Sequence, residues 1–86
     1  MTILIKVKES NNDPEMLVKV TDPASIHVDV KHNQVKVLLM SCTTLDIVDN
    51  NTGKQYDVVD VDFISYDVAD ELESFYIYDV TDVRVI

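Results

Sequence analysis

The chain has one cysteine, one glycine, two prolines and no tryptophan in 86 residues, and only 7 residues are Lys or Arg. A single cysteine cannot close an internal disulfide or build a thiolate zinc site. A single glycine cannot form a Gly-rich phosphate cradle. So few bases cannot make a basic nucleic-acid-binding patch. The longest uncharged run, residues 37–45, is far shorter than the ~20 apolar residues of a membrane span. Lys6 follows Met1 too closely to leave a secretory apolar segment. These absences lead us to expect one soluble cytoplasmic domain, residues 1–86, with no cofactor, no metal, no membrane contact and no direct nucleic-acid binding.

What is abundant is acid. There are 16 acidic residues, giving a net charge of −9. An apolar content of 47% is nonetheless too high for a disordered acidic tail. The charge is uneven. Residues 1–40 balance Lys6, Lys8, Lys19, Lys31 and Lys36 against Glu9, Asp13, Glu15, Asp22 and Asp29, so the second half carries the whole excess. No base interrupts the acids between Lys54 and Arg84. Self-repulsion of this kind opposes compaction, so the charge needs either an offset or a use.

The apolar period is two. Ile3, Ile5 and Val7 alternate along one segment, and Met16, Val18 and Val20 along another. Val, Ile and Tyr are plentiful and Ala is scarce, which favours strands. Pro14 and Pro23 sit in polar clusters that read as loops. Residues 26–40 predict a hairpin turning at His32-Asn33, with Val30 opposite Val35, Val28 opposite Val37, Ile26 opposite Leu39 and Asp29 opposite Lys36. A second hairpin turns through Asn50-Asn51-Thr52-Gly53 and opposes Asp49 to Lys54, Ile47 to Tyr56 and Leu45 to Val58. Its glycine stands where a left-handed residue is most useful. From Tyr56 to Tyr66 the pattern predicts a strand whose phase slips at a bulge near Val58-Val59, the alternative being a strand buried on both faces. Asp67 through Glu73 predicts a short helix with Asp67 as N-cap. Strands return at 74–80 and 83–85. The expected fold is a mainly β, small single-domain antiparallel sheet or barrel-like structure with at most one short helix. Tyr-Asp-Val recurs at 56, 66 and 78, but the unequal spacing is not a structural repeat.

Chemistry-bearing constellations are few. Asp60 and Asp62 would share one strand face, yet no cation-binding loop surrounds them. Carboxylate pairs need a pocket that separates their pKa values, and a domain this small offers little room for one. His27 is expected on a polar face and His32 in a turn, neither beside a nucleophile. Cys42 lies in an uncharged run and is expected to be a buried thiol. No catalytic residue is assigned, and the chain is not expected to be an enzyme.

The acids themselves remain. Alternate carboxylates on one strand face stand ~6.6 Å apart, a spacing comparable with that of phosphates along a nucleic-acid strand. Asp57, Asp60, Asp62, Asp67, Asp70, Glu71, Glu73, Asp79 and Asp82 are the expected charge-bearing residues, with Tyr66, Tyr76 and Tyr78 as interface anchors. In charge and size the chain resembles viral DNA-mimic inhibitors. That resemblance implies a small acidic inhibitor that occupies the basic nucleic-acid-binding surface of a partner protein. The alternative is an assembly subunit, with a homo-oligomer among its forms, that associates through an exposed β edge at residues 3–7 or 83–86.

Overall fold

A computed structural model describes residues 1–69 and 72–86 of the chain. Among the described residues nine strands form two antiparallel sheets: β1 (Thr2–Val7), β2 (Met16–Thr21), β3 (Ser25–Asp29), β4 (Gln34–Leu38), β5 (Thr44–Asp49), β6 (Gln55–Tyr56), β7 (Ile64–Ala69), β8 (Leu72–Ile77) and β9 (Val80–Val85). One sheet runs β6-β5-β2-β1-β9 and the other β3-β4-β8-β7. Four consecutive hairpins, β1–β2, β3–β4, β5–β6 and β7–β8, alternate between the sheets, and β9 returns to the first. The result is a mainly β fold of two facing sheets, not a closed barrel.

The alternation in the sequence sets the inward faces. Ile3, Ile5 and Val7 of β1 are buried, as are Met16, Val18 and Val20 of β2 and Ile47 of β5. Val35, Val37, Phe75 and Ile77 meet them from the other sheet, and Phe63 fills the core from a loop. The intervening residues Leu4, Lys6, Leu17 and Lys19 face outward, because a pleated strand sends neighbours to opposite sides.

The β5–β6 hairpin has the expected loop and pairing, with Ile47 opposite Tyr56, and Gly53 has a φ of 74°. Its strand stops there, however. Val58–Asp60 forms a 3-10 turn, so Leu45 never faces Val58 and no continuous strand links Tyr56 to Tyr66. Two adjacent valines that break the alternation are accommodated by leaving the sheet, not by a bulge within it.

The β3–β4 hairpin keeps its apolar face but shifts its register by two. Val28 faces Val35, Ile26 faces Val37, and Lys36 faces His27 instead of Asp29. The turn is longer than expected: Val30–His32 is a 3-10 turn closed by left-handed Asn33, and Val30 is 81% exposed. Asp29 is occupied in capping that turn, its Oδ1 accepting the His32 N–H at 3.2 Å.

The expected helix at 67–73 is not formed in the described part of that segment. Asp67 and Val68 belong to β7 and Glu73 to β8, with Asp67 opposite Ser74 and Val68 opposite Glu73. Asp70 and Glu71 lie outside the described residues. Helix-capping chemistry is worth about 1 kcal/mol, whereas pairing with β8 joins this segment to a sheet whose inner face is buried. Cys42, expected inside, is exposed, because it lies in the loop that crosses from one sheet to the other. Among the described residues no helix is long and apolar enough to cross a membrane.

Candidate functional site

Strand direction sorts the loops onto two ends of the molecule. β1 and β5 finish, and β2 and β9 begin, at the same end, since Val7 pairs with Met16 and Val80, and Met16 with Asp49. Backbone hydrogen bonds tie the second sheet's loops to this end: Tyr78 N–H to Phe63 O at 2.9 Å, Val80 N–H to Asn33 O at 3.0 Å, and Lys8 N–H to Asp79 O at 3.3 Å. Asp57, Asp60, Asp62 and Asp79 therefore gather here. Glu9, Asp13 and Glu15 from the formally neutral first half join them through the β1–β2 loop. Glu9, Asp13, Asp60 and Asp62 border a concavity of about 190 Å³ with an apolar floor that includes Val7, Met16 and Phe63. Lys8, Lys31 and Lys54 belong to the same end, but none borders the concavity.

Reading the sequence alone missed Glu9 and Asp13, because their half of the chain sums to zero. Three of its five lysines, however, lie elsewhere: Lys6 and Lys19 on the outer face of the first sheet, and Lys36 on the outer face of the second; Lys8 and Lys31 share the end but not the border of the concavity. The available signal was the hairpin pattern of β1 and β2, which places their connecting loop at one end. Among the described residues no lysine forms an ion pair with a carboxylate. Beside the acids, Val59 projects from the 3-10 turn, 90% exposed.

The remaining expected residues do not join this cluster. Asp67 and Glu73 lie toward the opposite end, where β7 finishes and β8 begins. Asp82 is on the outer face of β9, 3.0 Å from Arg84 Nε. Asp60 and Asp62 share no strand face, since Asp60 ends the 3-10 turn and Asp62 follows it. The ladder of alternate carboxylates is thus replaced by a cluster on loops.

The tyrosines divide between the two faces of one sheet. Tyr66 has the inward parity of Phe75 and meets its ring edge-on at 4.7 Å, though it remains half exposed on the edge strand β7. A hydrogen bond to Glu73 raises the Tyr66 phenol above its ordinary pKa, because the neutral donor is favoured. Tyr76 and Tyr78 stack on the outer face at 6.4 Å. There Lys36 Nζ stands 5.4 Å from the Tyr76 ring, and the Tyr76 hydroxyl reaches Asp67 Oδ2 at 3.5 Å.

His27 and His32 are both exposed. His32 Nδ1 lies 2.8 Å from Asp29 Oδ2. The side-chain hydrogen bond from His32, reinforced by its backbone N–H, holds the Asp29 carboxyl below its usual range against a smaller effect of burial. A depressed folded-state pKa stabilises the protein above the unfolded value of about 3.9. That contribution is lost as pH falls through the lower folded value. Asp29→Ala should therefore flatten the acid limb of stability against pH, measured by urea unfolding at neutral and acidic pH. An unchanged acid limb would remove Asp29 from this role.

Among the described residues no group of three or more His, Cys, Asp or Glu side chains is arranged to hold a metal ion. Compared with known proteins, the chain matches no family model, no curated protein and no solved structure.

Proposed function

We propose that this protein is a small acidic interaction protein that acts as an inhibitor, docking its carboxylate-rich end on the basic nucleic-acid-binding surface of a partner protein. The observation that carries this reading is the concavity bordered by Glu9, Asp13, Asp60 and Asp62 without a compensating base on its border. Low-dielectric walls and charge of one sign focus the field, which steers a basic partner toward this end. Exposed Val59, next to Asp60, supplies apolar area for the partner to cover. Mimicry of nucleic acid would rest on this cluster of loops, with Asp57 and Asp79 nearby, and no longer on a regular strand ladder.

The test is capture of basic nucleic-acid-binding proteins from lysate on the immobilised chain at low and high salt, with duplex DNA as competitor. Retention should fall steeply with salt and with added DNA. Asp60→Lys with Asp62→Lys should weaken binding by about tenfold or more. Asp67→Lys with Glu73→Lys, at the opposite end, should leave it nearly unchanged. Retention that ignores both salt and the first pair of substitutions would overturn the reading.

Assembly through a β edge is favoured by a separate observation. The expected edge at residues 3–7 is excluded, because β1 lies between β2 and β9. Residues 83–86 do lie at an edge: β9 ends the five-stranded sheet. Beside it an apolar groove of about 440 Å³ includes Val28, Val30, Val80 and Val83.

A further inference from the structure

The free edge of β9 has a defined polarity. Ile86 donates its N–H to Thr2 O at 2.9 Å, so the even-numbered residues near the end of β9 turn their backbone groups toward β1. Hydrogen bonding alternates along an antiparallel strand, which directs the N–H and C=O of Val83 and Val85 away from the sheet. The Val83 N–H is accepted by the carboxylate of its own neighbour, Asp82 Oδ1, at 3.0 Å. That oxygen stands in for the carbonyl of an adjoining strand. Arg84 Nε holds the other oxygen of the same carboxylate, also at 3.0 Å.

We infer that the occupant of this edge is a second copy of the same chain, with the two β9 strands antiparallel and Val83 on the twofold axis. This rests on the edge-assembly reading and names its partner and register. With Val83 opposite Val83, the outward backbone groups of each valine bond to the other. Asp82 of each copy then faces Arg84 of its partner on the outer face, and does so twice. The Asp82 carboxylate exchanges its own Val83 N–H and Arg84 for the partner's Arg84. Neighbouring registers that also pair the outward residues set Arg84 opposite Arg84, or Asp82 opposite Asp82. Like charges directly opposite one another oppose pairing, so a single register is selected. The exposed apolar residues Val28, Val30 and Val85 flank the same edge and lose water contact as the copies join.

Sedimentation of the full chain over a concentration series tests this. The mass should rise from 9.8 kDa toward twice that value. Val83→Pro removes an N–H that β1 does not use, so the monomer should fold and remain single, as checked by circular dichroism. Asp82→Arg and Arg84→Asp should each weaken self-association by about tenfold or more. Asp82→Arg also lowers the net negative charge, so general repulsion alone predicts the opposite result for it. An equimolar mixture of these two variants restores both opposite-charge pairs and should associate as the parent chain does. A chain that is monomeric at every concentration overturns self-pairing. Association that persists in Val83→Pro and in both reversals overturns this edge and register while leaving assembly through another surface standing.

Discussion

Ile5→Ala should lower the unfolding free energy by about 3–5 kcal/mol, a large effect for a single truncation in a chain of this size. Ile5 is fully buried. It sits in the middle of β1, opposite Val18 on one side and Val83 on the other. Truncation removes contacts to two neighbouring strands and to the facing sheet, and close-packed strands cannot collapse to fill the space. A domain of this size has about 5–15 kcal/mol of stability in total, so the loss is a large fraction of the whole. At about 4–8 °C per kcal/mol the melting temperature should fall by more than about 12 °C. The neighbour Leu4 is the control. It is half-buried on the outer face, and Leu4→Ala should cost much less. Equal losses at the two positions, measured by thermal and urea unfolding, would contradict the assignment of inner and outer faces.

Asp49→Ala is the second large effect. Asp49 is only 7% exposed, yet it carries a carboxylate. Its Oδ1 accepts the N–H groups of Asn51 at 2.8 Å and Thr52 at 3.1 Å. Its backbone closes the same loop, donating to Lys54 O at 2.9 Å and accepting from Gly53 N–H at 2.8 Å. The side chain therefore organises the turn that joins β5 to β6. Removing it leaves two partly buried donors without their acceptor, at a cost of about 2–3 kcal/mol. Asp49→Asn keeps an acceptor oxygen and should recover part of that loss. If both substitutions unfold at the same urea concentration as the parent, the carboxylate is not what holds the loop.

These two residues show how differently parts of the fold could be anticipated. The inward position of Ile5 follows from alternation with Leu4 and Lys6, a property of a few adjacent residues. The β5–β6 turn was legible too, because its four-residue loop and single glycine suit one pairing. The β3–β4 hairpin was half legible. Its apolar face was evident, but a two-residue turn and a longer turn capped by Asp29 preserve the same alternation, so hydrophobic pattern cannot choose between them. Asp67-Val68-Ala69 looks helical locally. Pairing with β8, supplied by residues further along the chain, makes the first part of that segment strand.

The candidate site was the least legible. A run of acids along the chain suggested one surface, but strand reversals sent Asp57, Asp60, Asp62 and Asp79 to one end and Asp67 and Glu73 toward the other. Tyr66 and Tyr76 were separated by a simple parity difference across the sheet.

By itself, the amino-acid sequence determined a small, mainly β chain with an acidic excess, since strand periodicity and composition are carried by residues near one another. Only the tertiary structure decided which loops meet, which strand is left at an edge and which carboxylates lack a neighbouring base. Glu9 and Asp13 reach Asp60 and Asp62 because four hairpins alternate between two sheets. That convergence depends on contacts between distant segments, and a pattern with a period of two does not encode it.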